Sequence, residues 1–256
     1  MQSIEESVVM AMDGSDKEIF PYMPYILQDL WEMGSDPDTI ITLINNNFDN
    51  HVNLKVLDLG CGKGAVSIKI ADKFKCNCHG IDAVEDFIHF ARQKAVEYKV
   101  DRLCSFEAGD IRESIDELSV YDVIILGSIG PVFGDYQKTL SIFRKHLESG
   151  GIIIIDDAYI EDESEFSHPL VLKHNELINQ INSCGMSLVQ TVAAEKEETA
   201  DVNSTIHEKV KKRCLELAEK HPEQRKLFTD FIAMQEAQID VYMNKVICAA
   251  FVIKPV

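Results

Sequence analysis

The sequence has no long apolar segment and comparatively few basic residues. Its longest uninterrupted apolar run, from Val246 to Ile253, has eight residues, far fewer than the roughly 20 that a membrane-spanning helix requires. Lys and Arg total 25 against 43 Asp and Glu, which gives a net charge of -18 at pH 7. Such a chain repels phosphate backbones and anionic lipid headgroups. We therefore expect neither a nucleic acid nor a membrane as a partner.

Paired cysteines, an export signal and proline-rich stretches are also missing. The 7 cysteines are an odd number without the paired spacing of zinc sites, which is typical of reduced thiols in a cytoplasmic protein. No basic stretch followed by an apolar one marks the first residues for export. With 46% apolar residues and only 7 prolines, the chain can bury a substantial core. We expect a folded, cytoplasmic protein, and the sequence leaves its oligomeric state open.

Short apolar runs alternate with helical segments from Lys55 onwards. The runs KVLDLG, CHGIDA, YDVIILGS and GIIIIDDAY are separated by amphipathic stretches such as EDFIHFARQKAVEY. Strands that alternate with helices predict a parallel sheet covered on both faces. The predicted fold class is therefore α/β, with a doubly wound and mostly parallel sheet.

Two helical segments lie outside this alternation. Residues 1–50 read as helical, and Ser35 or Asp36 is expected to cap the second helix there. Residues 195–244 carry apolar side chains at helical spacing, and we expect the His-Pro step within them to separate two helices. We predict an N-terminal helical extension over 1–50 and a second domain over 51–256 that contains the helical insertion.

A glycine-rich loop follows the first predicted strand, in residues 58–64. Glycine there lets the backbone turn sharply and approach a ligand closely. The pattern Gly60-x-Gly62-x-x-Ala65 also satisfies a relaxed dinucleotide fingerprint. Asp82 lies 22 residues beyond Gly60, where a ribose-binding acid is expected for either ligand class. A nicotinamide dinucleotide and S-adenosylmethionine therefore compete as ligands of this loop.

Asp58 favours one of these ligands. A carboxylate two residues before the first glycine repels a pyrophosphate, whereas it suits a ligand that carries an ammonium and a sulfonium, as S-adenosylmethionine does. Capping of the loop amides by Asp58 is a second role, compatible with the first.

These residues resemble the class I S-adenosylmethionine-dependent methyltransferases, particularly the small-molecule group that includes quinone-type and type 11 enzymes. VLDLGCGKG looks like their first motif, IDA like the acidic end of their second strand, and AGDI like the end of the third. The resemblance covers roughly residues 55–193 plus the closing strand. It implies a Rossmann-like sheet of seven strands, with SLVQTVA as the sixth and KVICAAFVIKP as an antiparallel seventh. The helical insertion between these two is a departure from the common pattern.

The resemblance also implies a set of cofactor-binding positions. Gly60 and Gly62 are expected near the methionine part and ribose of the cofactor, and Asp58 near its ammonium. Asp82 is expected to accept hydrogen bonds from both ribose hydroxyls, and Asp110 from the adenine amino group, although a helix N-cap is an open alternative for Asp110. The predicted set is Asp58, Gly60, Cys61, Gly62, Asp82, Ala83, Gly109, Asp110, Ile111, Gly127 and Ser128.

The implied reaction is an in-line transfer of the methyl group of S-adenosylmethionine to a small-molecule acceptor, with S-adenosylhomocysteine as the product. The sulfonium already activates the methyl group, so positioning of the acceptor is the main requirement. We assign no catalytic base and no metal. Asp156-Asp157 resembles the strand-end acids of metal-dependent catechol-type enzymes, but Ser128 stands where that subgroup has another acid. The acceptor and its reacting atom stay open.

Three other functions stay open at this point. The fold can bind S-adenosylmethionine without catalysis, and an acidic surface can recruit a basic protein as the methyl acceptor. The third is a nicotinamide-dependent oxidoreductase, against which Asp58 and Asp110 count.

Overall fold

The chain divides into two units in the computed structural model, which describes residues 2–256 apart from the side chains of residues 197 and 198. The larger unit contains Glu32–Ala193 and Cys248–Val256. The smaller unit contains the residues up to Trp31 and Ala194–Ile247. The first fifty residues, which we predicted as one extension, are thus distributed over both units.

Helices and strands alternate through most of the larger unit. The described α-helices are α1 (Ile4–Ala11), α2 (Met23–Ile26), α3 (Pro37–Asn47), α4 (Ala65–Phe74), α5 (Glu85–Glu97), α6 (Tyr136–Phe143), α7 (His174–Ser183), α8 (Lys196–Lys220) and α9 (Arg225–Asn244). The strands are β1 (Lys55–Leu59), β2 (Asn77–Asp82), β3 (Cys104–Ala108), β4 (Tyr121–Gly127), β5 (Leu147–Tyr159), β6 (Met186–Ala193) and β7 (Ile247–Pro255). Short 3-10 helices lie at Lys17–Tyr22, Ser114–Glu117, Arg144–His146 and Pro222–Gln224.

One seven-stranded sheet organises the larger unit. Its strand order is β3-β2-β1-β4-β5-β7-β6. The pairs among β1 to β5 are parallel, and β6 pairs antiparallel with β7. The predicted doubly wound, mostly parallel sheet with an antiparallel final strand is therefore confirmed. The chain runs outward from β1 to β3 and then returns to β4 on the other side of β1, which creates a crevice at the carboxyl ends of β1 and β4.

The central strands are buried on both faces because helices cover each side. Successive side chains of a strand point to opposite faces. On one face, side chains such as Leu57, Ile124 and Ile153 join a core with Leu140 and Phe143 of α6. The other face carries Asp58, which reaches α4 through a hydrogen bond to Ser67. Apolar runs without polar alternation in the central strands are the consequence of this double burial.

Helix signals in the sequence are matched at two places. The Asp36 carboxylate accepts a hydrogen bond from the Thr39 N–H at 2.7 Å and so caps α3, with Pro37 in the first helical position. The predicted break between the two helices of the insertion is also confirmed, because α8 and α9 are separated by His221 and a 3-10 turn.

The smaller unit joins the N-terminal segment to the insertion. The Tyr25 hydroxyl donates to Glu216 of α8 at 2.7 Å, and Arg213 of α8 binds both carboxylate oxygens of Asp29. The side chains of Met23 and Phe228 are fully buried in the same unit. The residues up to Trp31 and the insertion therefore pack together within this unit.

Replacement of Leu140 by Ala tests the core that supports the sheet. Leu140 is fully buried, so we expect Leu140→Ala to lower the free energy of unfolding by about 2–5 kcal/mol. Leu170 lies in the same unit and is 46% exposed, so Leu170→Ala should cost less than about 0.5 kcal/mol. Urea denaturation of both variants measures the difference, and equal losses would contradict the described packing.

Candidate functional site

The loop after β1 has a backbone conformation that glycine adopts readily. Gly60 and Gly64 have φ angles of +71° and +73°, in the left-handed region that disfavours a Cβ atom. A Cβ on Gly60 would overlap the Ile129 side chain, and one on Gly64 would lie 2.8 Å from the Phe106 ring. The Gly60 N–H also donates to the Ile81 carbonyl at 2.8 Å. Close packing and this bond therefore set the shape of the loop.

Asp82 connects the same loop to the end of β2. Its Oδ2 accepts a hydrogen bond from the Gly62 N–H at 2.8 Å, and its Oδ1 accepts one from the Val84 N–H at 2.9 Å. Burial raises the pKa of Asp82, and the two amide bonds oppose that rise. Each carboxylate oxygen can accept a second hydrogen bond in addition to the one from the backbone amide. Asp82 can thus hold the loop and still accept hydrogen bonds from a ligand.

Asp58 is buried at the end of β1. Its Oδ2 accepts a hydrogen bond from the Ser67 hydroxyl at 2.6 Å, and the Ser67 backbone also bonds to it. Burial raises the pKa of Asp58 to about 6, and the neighbouring Asp82 charge raises it too, while the Ser67 bonds lower it. We expected loop amides as the alternative partners of Asp58. Its partner instead belongs to the first turn of α4, which comes close because the glycine loop is short.

Asp110, just beyond β3, forms an ion pair with Arg112. The guanidinium contacts both carboxylate oxygens, with Nη2 2.6 Å from Oδ2 and Nε 2.9 Å from Oδ1. The Arg112 N–H donates to Oδ1 as well, which makes a local turn rather than a helix cap. Arg112 therefore holds the pKa of Asp110 below its usual range. The sequence interpretation missed Arg112, although its position two residues after Asp110 was a visible signal.

The end of β4 lies against a segment that precedes α3. A Cβ on Gly127 would overlap the Ser35 hydroxyl, and one on Gly34 would lie 3.0 Å from Ser128 Cβ. Ser128 has a φ of +55°, which is uncommon for a residue with a side chain. Its N–H donates to the Asp156 carbonyl at 2.9 Å. Gly34 and Ser35 were also missed, because they are far in sequence from the residues they contact.

The remaining predicted residues occupy the same edge of the sheet. The Gly109 N–H donates to the Asp82 carbonyl at 2.9 Å. Ile111 is buried, whereas Ala83 is half-buried. Burial raises the pKa of the Cys61 thiol. Every residue of the predicted set thus lies at or just beyond the carboxyl end of β1, β2, β3 or β4, while the role of each toward a ligand stays a prediction.

The described residues contain neither a cluster suited to a metal ion nor a helix suited to spanning a membrane. Among the side chains that the structure describes, no group of three or more His, Cys, Asp or Glu is arranged to hold a metal ion. None of the helices in the described part of the chain is both long and apolar enough to cross a membrane.

Comparison with known proteins identifies a domain family and a set of related folds. A family described as "Methyltransferase domain" matches residues 50–225. The ubiquinone biosynthesis O-methyltransferase of Rickettsia akari is 29% identical over 120 residues, which are 45% of this chain and 45% of that protein. Phosphoethanolamine N-methyltransferase 1 of Zea mays is 31% identical over 103 residues, 40% of this chain and 20% of that protein. The chain therefore spans less than half the length of either relative.

Among solved structures, a S-adenosylmethionine-dependent methyltransferase from Geobacter sulfurreducens in complex with S-adenosylhomocysteine shares the fold. Its TM-score is 0.76 at 19% identity, with 92% of this chain and 98% of that chain covered. The family match extends over more than two thirds of the sequence and includes the glycine loop and the strand ends described above. The chain belongs to the methyltransferase-domain family, and its resemblance to the class I S-adenosylmethionine-dependent methyltransferases is confirmed.

Proposed function

We propose that the protein transfers the methyl group of S-adenosylmethionine to a small-molecule acceptor. The observation that carries this proposal is the series of acids at the ends of three adjacent strands: Asp58 on β1, Asp82 on β2 and Asp110 beyond β3. They surround a glycine loop that permits close approach of a ligand. The names of the two curated relatives, a quinone-pathway O-methyltransferase and a phosphoethanolamine N-methyltransferase, support a small acceptor.

The charges at the loop suit S-adenosylmethionine better than a dinucleotide. Asp58 and Asp82 are both buried, and Asp58 lies two residues before the first glycine of the loop. A pyrophosphate there would face carboxylates, whereas an ammonium or a sulfonium would be attracted to them. When bound, S-adenosylmethionine supplies an electrophilic methyl group that its sulfonium charge activates.

The chain contributes binding and orientation. In this proposal Asp82 accepts hydrogen bonds from the ribose hydroxyls, and Asp58 favours the cationic methionine end, directly or through water. Asp110 accepts from the adenine amino group while it keeps its bond to Arg112. Gly127 and Ser128 line the place of methyl transfer at the end of β4. Orientation alone can lower the barrier by several kcal/mol, with an upper range of about 7–11 kcal/mol.

Calorimetric titration with S-adenosylmethionine, S-adenosylhomocysteine and NADH tests the ligand class. We expect both sulfur ligands to bind and NADH not to bind. Binding of NADH alone would contradict the role of Asp58. Binding of the sulfur ligands without turnover on any acceptor, including basic proteins, would favour a non-catalytic binding module.

The substitution Asp82→Asn tests the ribose contact. It removes the charge and one of the two oxygens that accept the Gly62 and Val84 N–H groups, so one of these backbone bonds is lost as well, and a thermal unfolding transition must show that the variant folds. Because hydrogen bonds to a charged group contribute about 1.5–3 kcal/mol, we expect the affinity for S-adenosylmethionine to fall by about 10- to 100-fold. Asp86→Asn is the matched control, since Asp86 is an exposed acid in the first turn of α5. An unchanged affinity in Asp82→Asn would refute the ribose assignment.

The pH dependence of binding tests Asp58. Its pKa of about 6 means that the carboxylate is ionised above pH 6 and becomes neutral below it. If the cationic ligand binds the ionised form, the affinity for S-adenosylmethionine should fall by about 10-fold between pH 7.5 and pH 5. Asp58→Asn should bind more weakly at pH 7.5 and lose most of this pH dependence. An equally steep profile in that variant would show that another group is responsible.

A further inference from the structure

A further acid, Asp156, lies at the carboxyl edge of the sheet, outside the three acids assigned to the methyl donor. Asp156 is near the end of β5 and pairs in register with Gly127 of β4. Ile125 pairs with both Asp58 and Ile154, so the side chains of Asp58 and Asp156 lie on one face of the sheet. Asp156 is therefore on the same face as the proposed methyl-donor site. It lies two strands away from β1, on β5, next to the end of β4 that Ser128 follows.

The Ser35 hydroxyl occupies the space above Gly127, next to Asp156. Gly127 has no side chain, and a Cβ there would overlap Ser35 Oγ. Ser35 is only 5% exposed, and its Oγ has no partner in hydrogen-bond geometry among the described residues. Its hydroxyl nevertheless lies close enough to Asp156 for a loose hydrogen bond to the carboxylate, which lowers the pKa of that acid. A buried hydroxyl without a well-formed hydrogen bond is unfavourable, so this position suits a ligand atom.

No positive side chain compensates the charge of Asp156. None of the ion pairs found among residues 2–256 includes it. Burial raises the pKa of Asp156 to about 6; the nearby charges of Asp157 and Asp36 also raise it, and Ser35 lowers it. The carboxylate is therefore ionised at neutral pH and is surrounded by other acids rather than by bases.

The adjacent Asp157 differs in each of these respects. Its Oδ2 accepts a hydrogen bond from the Tyr136 hydroxyl at 2.8 Å, and its Oδ1 accepts one from the Ala158 N–H at 2.8 Å. As the next residue of the strand, it points to the opposite face of the sheet. Asp157 thus has two well-formed hydrogen bonds within the fold, whereas Asp156 has only the loose contact with Ser35.

We propose that Asp156 and Ser35 bind the methyl acceptor through a basic amine nitrogen. This inference rests on the proposed methyl transfer and narrows its acceptor class to amines. An ammonium supplies the positive charge that Asp156 lacks, and its N–H groups supply donors for the carboxylate and for Ser35 Oγ. An acceptor that presents a carboxylate or a phosphate at this point is repelled by Asp156, Asp157 and Asp36.

In this proposal Asp156 also accepts a proton, because an ammonium must lose one before its nitrogen can be methylated. The bound ammonium gives one proton to the Asp156 carboxylate, which leaves a nitrogen lone pair. That lone pair forms the new N–C bond while the C–S bond of the methyl donor breaks and sulfur keeps its electron pair. Asp156 then releases the proton to water, and the products are the methylated ammonium and S-adenosylhomocysteine.

Calorimetry on the full chain saturated with S-adenosylhomocysteine tests the proposal without turnover. The probes are two matched series, phenethylamine with phenethyl alcohol and hydrocinnamate, and hexylamine with hexanol and hexanoate. We expect the amines to bind at least about 10-fold more tightly than the matched alcohols and acids. Asp156→Asn should weaken amine binding by about 10- to 100-fold, and Ser35→Ala should weaken it by a smaller factor. Asp157→Asn, the matched control, removes a nearby charge from the opposite face of the sheet and should weaken amine binding far less than Asp156→Asn does.

The pH dependence of amine binding and the affinity for S-adenosylhomocysteine distinguish a specific role of Asp156 from misfolding or a failed donor site. Amine affinity of the unmodified chain should fall below pH 6, as Asp156 becomes neutral, and Asp156→Asn should abolish that fall. All variants should keep the affinity for S-adenosylhomocysteine and a thermal unfolding transition, which shows that they fold. Amines that bind no better than their alcohols, or equally well to Asp156→Asn, overturn the proposal. A loss of donor affinity in Asp156→Asn overturns it too, and failure of the unmodified chain to bind S-adenosylhomocysteine overturns the proposed function itself.

Discussion

Burial of negative charge at one edge of the sheet is the constraint on which the rest of the site depends. Asp58 and Asp82 are both less than a tenth exposed, and burial is the largest cause of the raised pKa of each. For Asp58, the folded state has a pKa near 6 in place of an ordinary value near 4, so it binds the proton more tightly than the unfolded state does. The free energy of unfolding therefore decreases by roughly 3 kcal/mol as the pH rises from about 4 to 6, and this cost of burying the charge is present at neutral pH. A cationic ligand offsets that cost.

The fold brings these acids together at a crevice at one edge of the sheet. Parallel strands place their carboxyl ends at one edge, and the reversal of strand order between β1 and β4 opens a crevice there. The glycine loop closes tightly enough for its amide at Gly62 to reach Asp82. In the proposed complex the same carboxylate holds the loop and binds the ribose, so that loop shape and ligand binding are interdependent. Arg112 plays a comparable part by holding Asp110.

Much of the fold and part of the site could be predicted from the sequence because their signals are local. Apolar runs such as YDVIILGS indicate strands that are buried on both faces, and Pro37 after Asp36 indicates the start of a helix. The glycines and the acids Asp58, Asp82 and Asp110 follow individual strands directly, so their common edge follows from parallel strand order. The family and the sheet topology predicted on this basis are confirmed, whereas the ligand contacts of these residues stay predictions.

The part that could not be predicted depends on contacts between distant residues. Ser35 lies over Gly127 and beside Asp156, and no spacing in the sequence reports that arrangement. The partner of Asp58 differed from expectation for a related reason, since the choice between a loop amide and Ser67 depends on how closely α4 approaches β1. Asp156 and Asp157 are neighbours with the same side chain, and only the structure shows that Asp157 bonds to Tyr136 and the Ala158 N–H while Asp156 lies beside Ser35.

The most direct measurement of the central claim is the pKa of Asp58 itself, from the carboxyl carbon resonance in a pH titration of the labelled protein with and without S-adenosylmethionine. We expect a pKa near 6 in the free protein and a clear decrease when the cationic ligand is bound. An ordinary carboxyl pKa near 4 in the free protein, or a value that saturating ligand leaves unchanged, would contradict it.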